Sequence, residues 1–470
     1  MRVRGVGHAC LEIEVGGLRI VTDPWWAGPA YSNQWYPWPT PMPDGLEKRK
    51  IDYLYLSHGH EDHLHPDTLK RLRPGAVALV PECLTGGMAG FLRELGFAEV
   101  IVLEHGRRTA LRNGVAATCY VNLTDSLLVL EGDGQVLVNG NDALHASPPA
   151  VIEHFCRELK DRHPKLDMLF LGCGGASWFP TCIRVPGRND REVARARERQ
   201  FGENFLTIVQ HLEPRIACPF AASFVLLEPH NRWINEVKLE VETPDRVHAR
   251  RGPDRTLCHL LLPGDVIDEV GVHPGGGLRP TRALLEAAYA DELREGCARV
   301  ESLTPLTDAE LAVLTRAVDR RLRENCSRLG RSDSTFELRL RDNPGQAIRV
   351  WLSRTEPRAE LAPAGELSLA LELRAEILRS ALESEYGTEA MVIGYGATVY
   401  LNSPQQYRHV LALLSALSPR QAGWRAVTRQ AAIMPLSTLG SLWRQRWALA
   451  AHLGTKLGLV RHPEPTVNAA

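Results

Sequence analysis

The sequence predicts an α/β sandwich followed by a smaller α+β region. Three observations carry this expectation. Short apolar strands alternate with helical stretches as far as Leu260–Gly264, in two successive halves whose loops meet at one edge. From about residue 280 the composition shifts to Leu, Ala, Arg and Glu in helical periods. The 470 residues suffice for two or three domains at roughly 150 residues each. The expected division is 1–275 and 276–470.

The elements follow in order. Leu11 to Val15 alternates, Gly16-Gly17 supplies a turn and Leu18 to Thr22 forms the partner strand. Asp23-Pro24-Trp25-Trp26 ends it. The next loop carries Tyr31, Trp35, Tyr36 and Trp38 among four prolines, too long and aromatic for a simple connector. It either walls a substrate pocket or plugs a core. Ile51 to Leu56 reads as a strand, 57–65 as a loop, and Pro66-Asp67 opens a helix to about Leu72. Val77 to Val80 is a strand and Gly86 to Leu95 a helix. Strands dominate from Val100 to Asn139, with a hairpin turn at Glu131-Gly132-Asp133-Gly134. Met168 to Leu171 is a strand leading to a glycine-rich turn at 172–177, which either presents N–H groups to an anion or makes a tight turn. Arg188 to Glu213 is a long charged helix and Arg215 to Phe220 a strand. Further on, Thr335 to Leu340 pairs with Ile348 to Leu352, and Leu367 to Leu382 begins as a strand and becomes a helix. Ala390 to Leu401 reads as glycine-broken strand. Tyr407 to Leu417 and Ser437 to Leu459 read as helices. The last, with Trp443, Arg444, Arg446 and Trp447, suits core or homodimer packing better than a membrane surface.

Composition narrows the function. Lys+Arg total 55 and Asp+Glu 56, so the net charge is −1, which argues against a nucleic-acid binder and a polybasic membrane anchor. Only 7 of the basic residues are lysines, a bias expected of a GC-rich genome. No run of 18 apolar residues suggests a transmembrane helix, and no signal-peptide pattern opens the chain. The ten cysteines form no CxxC pair. A reduced, cytoplasmic setting is the expectation, with most cysteines acting as buried hydrophobes.

The chemistry concentrates in Ser57-His58-Gly59-His60-Glu61-Asp62-His63, between an apolar strand and a helix. His58 and His60, two apart on an extended loop, can face one metal. Asp62 and His63, one turn on, can reach a second metal about 3.5–4 Å away. Imidazole with carboxylate suits zinc, iron or manganese.

This HxHxDH motif resembles that of the metallo-β-lactamase superfamily, which implies an αββα sandwich. Val6-Gly7-His8-Ala9 and Thr22-Asp23-Pro24-Trp25 are similar to its lactonase-like branch. Gly174-Gly175-Ala176-Ser177 with Phe179-Pro180, then Pro214-Arg215-Ile216 with Cys218-Pro219-Phe220-Ala221, and late Ile393-Gly394-Tyr395 resemble the CMP-N-acetylneuraminate hydroxylase family. That family carries a Rieske domain, which needs CxH and CxxH pairs. The sequence has neither pair, so that domain is not expected here.

The resemblance implies the remaining ligands. Asp142, after the strand ending near Asn141, is the expected bridging ligand. The superfamily's third histidine falls near Val121, where the chain has none; Asn122 or Asp125 is left to substitute, unless Asp125 stands behind a ligand instead. The final ligand position aligns with Glu228, and His230 stands two residues on; either is a candidate. Asp23 is expected to orient a metal histidine from behind. His8 lies either beside the metals or in the core. Fewer imidazoles and more carboxylates make a harder site, so of two divalent ions iron is favoured, with zinc or manganese as alternatives.

Two activities compete. The favoured one is a diiron oxygenase, or monooxygenase, oxidising a small polar substrate with electrons from a separate ferredoxin or reductase. The alternative is a binuclear hydrolase of lactones, phosphodiesters or amides, with Asp62 or Asp142 orienting the attacking water. A degenerate binding protein is the third reading, because the third histidine is missing.

Overall fold

The computed structural model describes residues 1–72, 75–82, 87–122, 125–175, 181–251, 255–294, 305–325, 334–365, 367–383 and 387–418. Local chemistry sets the first pairings. Asp133 and Gly134 take φ of 54° and 71°, the left-handed pair that a two-residue hairpin needs. They join Asp125–Gly132 to Gln135–Asn141 with Gly132 opposite Gln135. The Gly16-Gly17 turn likewise joins Cys10–Val15 to Leu18–Thr22.

Two sheets grow from these hairpins. The first has eight strands, in the order Val272–His273, Val266–Ile267, Arg2–Gly7, Cys10–Val15, Leu18–Thr22, Tyr53–Tyr55, Val77–Pro81 and Val100–Leu103. The second has seven: Leu257–Cys258, Ile216–Phe220, Met168–Gly172, Gln135–Asn141, Asp125–Gly132, Ala116–Asn122 and Arg108–Ala110. Their facing sides share one core, with Ile13, Ile20 and Leu54 from one sheet and Leu128, Leu130 and Phe170 from the other. The back of the second sheet buries Leu127, Val129 and Leu169 under Phe155 of helix Pro149–Arg162 and Phe205 of helix Asp190–Leu212. Helix Met88–Glu94 packs on the first sheet. The layers are those of a metallo-β-lactamase-type αββα sandwich.

A third sheet orders Ile183–Arg184, Ala397–Tyr400, Ala370–Leu373, Ser334–Leu340, Gln346–Leu352 and Arg358–Pro363. Helices Asp308–Asn325, Ala375–Glu383 and Tyr407–Leu417 share its core. This is the α+β part, and it draws the strand Ile183–Arg184 out of the preceding sequence. Its core also takes Trp25, Tyr31 and Trp35. The aromatic loop therefore plugs the seam between sandwich and third sheet.

Three readings of local structure change. Helices Pro149–Arg162, Trp233–Glu240 and Pro244–Arg251 were absent from the sequence expectation. The first half of 390–401 is helix Gly387–Val392, and only Ala397–Tyr400 is strand. A short apolar run such as Met391-Val392-Ile393 has no periodicity that separates the two. The expected helix 437–459 lies outside the described residues.

Candidate metal centre

The HxHxDH loop leaves the end of Tyr53–Tyr55, a strand held between parallel neighbours Leu18–Thr22 and Val77–Pro81. Polar struts fix the loop behind it. Ser126 Oγ donates to the Ser57 carbonyl at 2.6 Å. With its one proton so used, it accepts from Tyr55 Oη at 2.6 Å. Ser57 N donates to Asp23 Oδ1 at 2.8 Å. At the far end His65 Nδ1 accepts from Thr68 N and caps helix Pro66–Leu69.

Seven ligand-type side chains converge in front of these struts. His58 Nε2 and His60 Nδ1 lie 2.8 Å apart, and Asp125 Oδ1 is 3.9 Å from His58 Nε2. His63 Nε2 lies 3.3 Å from Asp62 Oδ2 and 3.7 Å from Asp142 Oδ2. His8 Nε2 is 2.9 Å from Asp62 Oδ2. Ligand atoms fall into three overlapping groups, each within 4.8 Å: His8, Asp62 and His63; His58, His60 and Asp125; and His58, His63 and Asp142.

The electrostatics of these groups fit cations. Burial pushes the His58 imidazole well down, and His63 and His60 push it further. Burial also opposes charge on His63, yet Asp62, Asp142 and Asp23 around it carry its imidazole well above the ordinary value. Asp62 and Asp142 are raised by burial, but His63 and His8 bring the first well below the usual carboxylate range, and His145, His63 and His58 lower the second. The carboxylates that favour positive charge at His63 equally favour a cation beside it. The buried His63 Nε2 and Asp142 Oδ1 have no hydrogen-bond partner, and an orphaned buried polar atom costs about 1–3 kcal/mol. A divalent ion bound by imidazole and carboxylate supplies what they lack.

Backbone strain gathers here too. His8, Asp23, Tyr31 and Asn141 have φ of 46°, 38°, 56° and 45°, a left-handed region costing roughly 1–2 kcal/mol for such residues. Such strain persists where the surroundings over-determine the backbone, as at binding sites.

The expected ligands separate into two sets. His58, His60, Asp62, His63, Asp125 and Asp142 come together. Asp23 lies behind His63, its Oδ2 3.3 Å from Nδ1. His8 joins the centre itself. Asn122 turns away, its Nδ2 donating to the Ala143 carbonyl. Glu228 and His230 are not brought in. Glu228 pairs with Arg374 at 3.2 Å, and His230 Nε2 bonds the Tyr395 carbonyl at 3.0 Å, so both face the third sheet. The glycine turn packs tightly: a Cβ on Gly174 would come within 2.5 Å of Ala222 Cβ, and one on Gly175 within 2.4 Å of Phe201. Residues 176–180 of that motif lie outside the described residues.

Two residues escaped the sequence reading. Tyr31 donates its hydroxyl to Asp62 Oδ1 at 2.5 Å. His145 donates Nδ1–H to the Asp142 carbonyl at 2.6 Å and is the leading influence drawing that carboxyl down. Its only signal was a histidine three residues beyond Asp142.

Residues 2–142 match the model of the Beta-lactamase superfamily domain. The chain is similar to the cytidine monophosphate-N-acetylneuraminic acid hydroxylase of Mus musculus, 27% identical over 282 residues, covering 56% of this chain and 46% of the mouse protein. It spans about half the length of the curated relatives it matches. Among solved structures, CmlA, a diiron β-hydroxylase from Streptomyces venezuelae, aligns over 55% of this chain and 53% of its own, with 19% identity and a TM-score of 0.36. Igni18, a metallo hydrolase from Ignicoccus hospitalis, aligns over 57% of this chain and 97% of its own, with 18% identity and a TM-score of 0.37.

Proposed function

We propose that the chain is a binuclear, iron-dependent oxygenase that hydroxylates a small polar substrate. The observation that carries this reading is the donor set. A carboxylate, Asp125, completes the group of His58 and His60, and oxygen-rich sites favour iron over zinc. In this reading His58, His60 and Asp125 hold one ion, and His8, Asp62 and His63 hold the other. Asp142 stands between, grouped with His58 and His63. The similarity to hydroxylases over 282 residues supports the same reading.

Two iron ions, when bound, supply the redox chemistry that activates O₂. Hydroxylation consumes one O₂, two electrons and two protons for each C–H oxidised and releases one water. The electrons come from a separate ferredoxin or reductase. The chain's own residues bind and orient. Tyr31 holds its proton against Asp62 Oδ1, which leaves Oδ2 facing His8 and His63. Asp23 fixes the His63 ring from its Nδ1 side. Ser57 Oγ, 2.9 Å from His58 Nδ1, leaves Nε2 facing His60 and Asp125. His58, Asp62 and His63 are buried, whereas His60 and Asp125 are partly exposed, so substrate approaches on the His60–Asp125 side.

The test is the metal content of the purified chain together with O₂ uptake. Near two irons per chain, a visible absorption band and reductant-dependent O₂ consumption support the oxygenase. Zinc alone, with turnover of a lactone, phosphodiester or amide panel, replaces it with a hydrolase. That second reading is favoured by the superfamily match over residues 2–142. No bound metal after iron and zinc reconstitution removes both.

A further inference from the structure

The Phe224 ring divides two parts of the molecule. Trp35 stacks on it with ring centroids 3.5 Å apart and planes at 1°. Lys238 Nζ sits 3.6 Å from the same centroid. Two groups this close cannot share one face, so Trp35 and Lys238 cover opposite faces. The Trp35 side leads to His8, whose ring is 6.5 Å from Trp35. The Lys238 side opens into a cavity of about 180 Å³.

That cavity is lined largely by apolar side chains, among them Trp38, Leu261 and Leu285; Lys238 and Glu198 are its charged members beside Phe224, while Glu242, at the exposed side, pairs with Arg250. Among the described residues Lys238 gives one hydrogen bond, to the Ala222 carbonyl at 3.1 Å. An ammonium has three donors, so two remain for a guest. Glu198 attracts Lys238 across the space, but the two form no ion pair within 4.0 Å among the described residues. Burial lowers the tendency of both groups to carry charge. A guest carboxylate pairs with the spare Lys238 donors and accepts from the Glu198 carboxyl in its protonated form. A second negative charge on the guest finds no further free cation among the described residues of the lining, and a guest amine finds no acceptor in Lys238. The other cations on the lining are committed or outward: Arg279 pairs with Asp245, and Arg246 is exposed.

We propose that this cavity is a binding site for a small organic monocarboxylate, its head on Lys238 and its apolar body against Trp38, Phe224 and Leu261. The site does not depend on which metal the neighbouring centre holds.

The test uses the full, metal-loaded chain and calorimetric titration with benzoate, benzamide, benzylamine and inorganic phosphate. Benzoate binds saturably and at least about tenfold tighter than the neutral benzamide, the factor expected for a charge-assisted hydrogen bond. Lys238→Met weakens benzoate by about tenfold or more and leaves metal content unchanged. His60→Ala, which lowers the metal content of the neighbouring centre, leaves benzoate binding in place. The proposal is overturned if benzoate does not bind, if benzamide or phosphate binds as tightly, or if Lys238→Met binds benzoate as wild type does. Loss of benzoate binding in His60→Ala also overturns it, since the carboxylate then sits on the metal ions. Should Lys238→Met not fold, the wild-type ligand series alone decides.

Discussion

Tyr31→Phe isolates one hydrogen bond at the centre. The ring stays packed against Trp35, with centroids 4.8 Å apart, so only the hydroxyl is lost. Its partner, Asp62 Oδ1, sits in a side chain 3% exposed. Water cannot readily replace the donor, and the acceptor is left short of one bond. A hydrogen bond to a charged, buried group is worth about 1.5–3 kcal/mol, so the unfolding free energy falls by about 2 kcal/mol. Asp62 keeps its contact with His8 but loses the clamp on its other oxygen, and the loss of such outer supports weakens metal binding by about 10- to 100-fold. The lower end applies here because His8 still holds Oδ2. Chemical denaturation of the chelated protein measures the first effect, and competition with a chromophoric chelator the second. Unchanged unfolding free energy together with unchanged metal affinity refutes the placement of Tyr31 as the group that orients Asp62.

Other perturbations test different parts. His60→Ala and Asp125→Ala each abolish activity and lower bound metal toward one ion per chain, with the circular dichroism spectrum intact; two ions retained in either variant, by plasma mass spectrometry, removes that residue from the ligand set. At Gly172 a Cβ would lie 2.7 Å from the Asn141 carbonyl and 3.0 Å from Asp142 Oδ1, so Gly172→Ala displaces Asp142 and weakens metal binding about tenfold or more, read by the same chelator competition. Away from the centre, Asp265 accepts from His259 Nε2, Leu262 N and Gly275 N. Burial raises its carboxyl, but these donors outweigh burial and hold it below the usual value. A lowered carboxyl stabilises the fold above its unfolded pKa of about 3.9 and loses that contribution as pH falls through the folded value. Asp265→Asn therefore destabilises by about 1–3 kcal/mol at pH 7, and denaturant titrations show the gap to wild type closing below about pH 4.

What could be read from the sequence was what neighbours in the chain decide. The motif at 57–63 follows an apolar strand directly, so spacing marks it; Asp142 follows one as well, and there the family resemblance supplies the expectation. His8 was harder. It lies in the turn between the paired Gly7 and Cys10, and there it reaches Asp62, 54 positions away. For the aromatic loop of Tyr31 the sequence left a pocket wall and a core plug open; Tyr31 packs in the core, and its hydroxyl bonds Asp62, a contact that no local pattern signals. Glu228 and His230 had the right chemistry beside a proline. Their partners, Arg374 and the Tyr395 carbonyl, come from the third sheet's part of the chain, more than a hundred residues later. Side chains become ligands or ion pairs according to which distant element arrives first, and that is decided by packing.

The missing third histidine is thus no sign of a failed site by itself. Four imidazoles, His8, His58, His60 and His63, and three carboxylates, Asp62, Asp125 and Asp142, meet in one place, with Asp23 directly behind His63. In the proposed binuclear centre the four buried or half-buried carboxylates Asp23, Asp62, Asp125 and Asp142 would balance two divalent cations, and a buried cluster of charge is tolerable only when it is so paired. A histidine near Val121 in place of Asp125 would leave that balance one negative charge short. The exchange of an imidazole for Asp125 on one side and the entry of His8 on the other keep the number of ligands while shifting charge toward the partly exposed Asp125. In the proposed assignment each half offers two imidazoles and one carboxylate, His58, His60 and Asp125 on the partly exposed side and His8, His63 and Asp62 on the buried side. The two halves differ in exposure rather than in donors, so in the proposed oxygenase the His60–Asp125 side would admit O₂ and substrate while the buried side stays fixed.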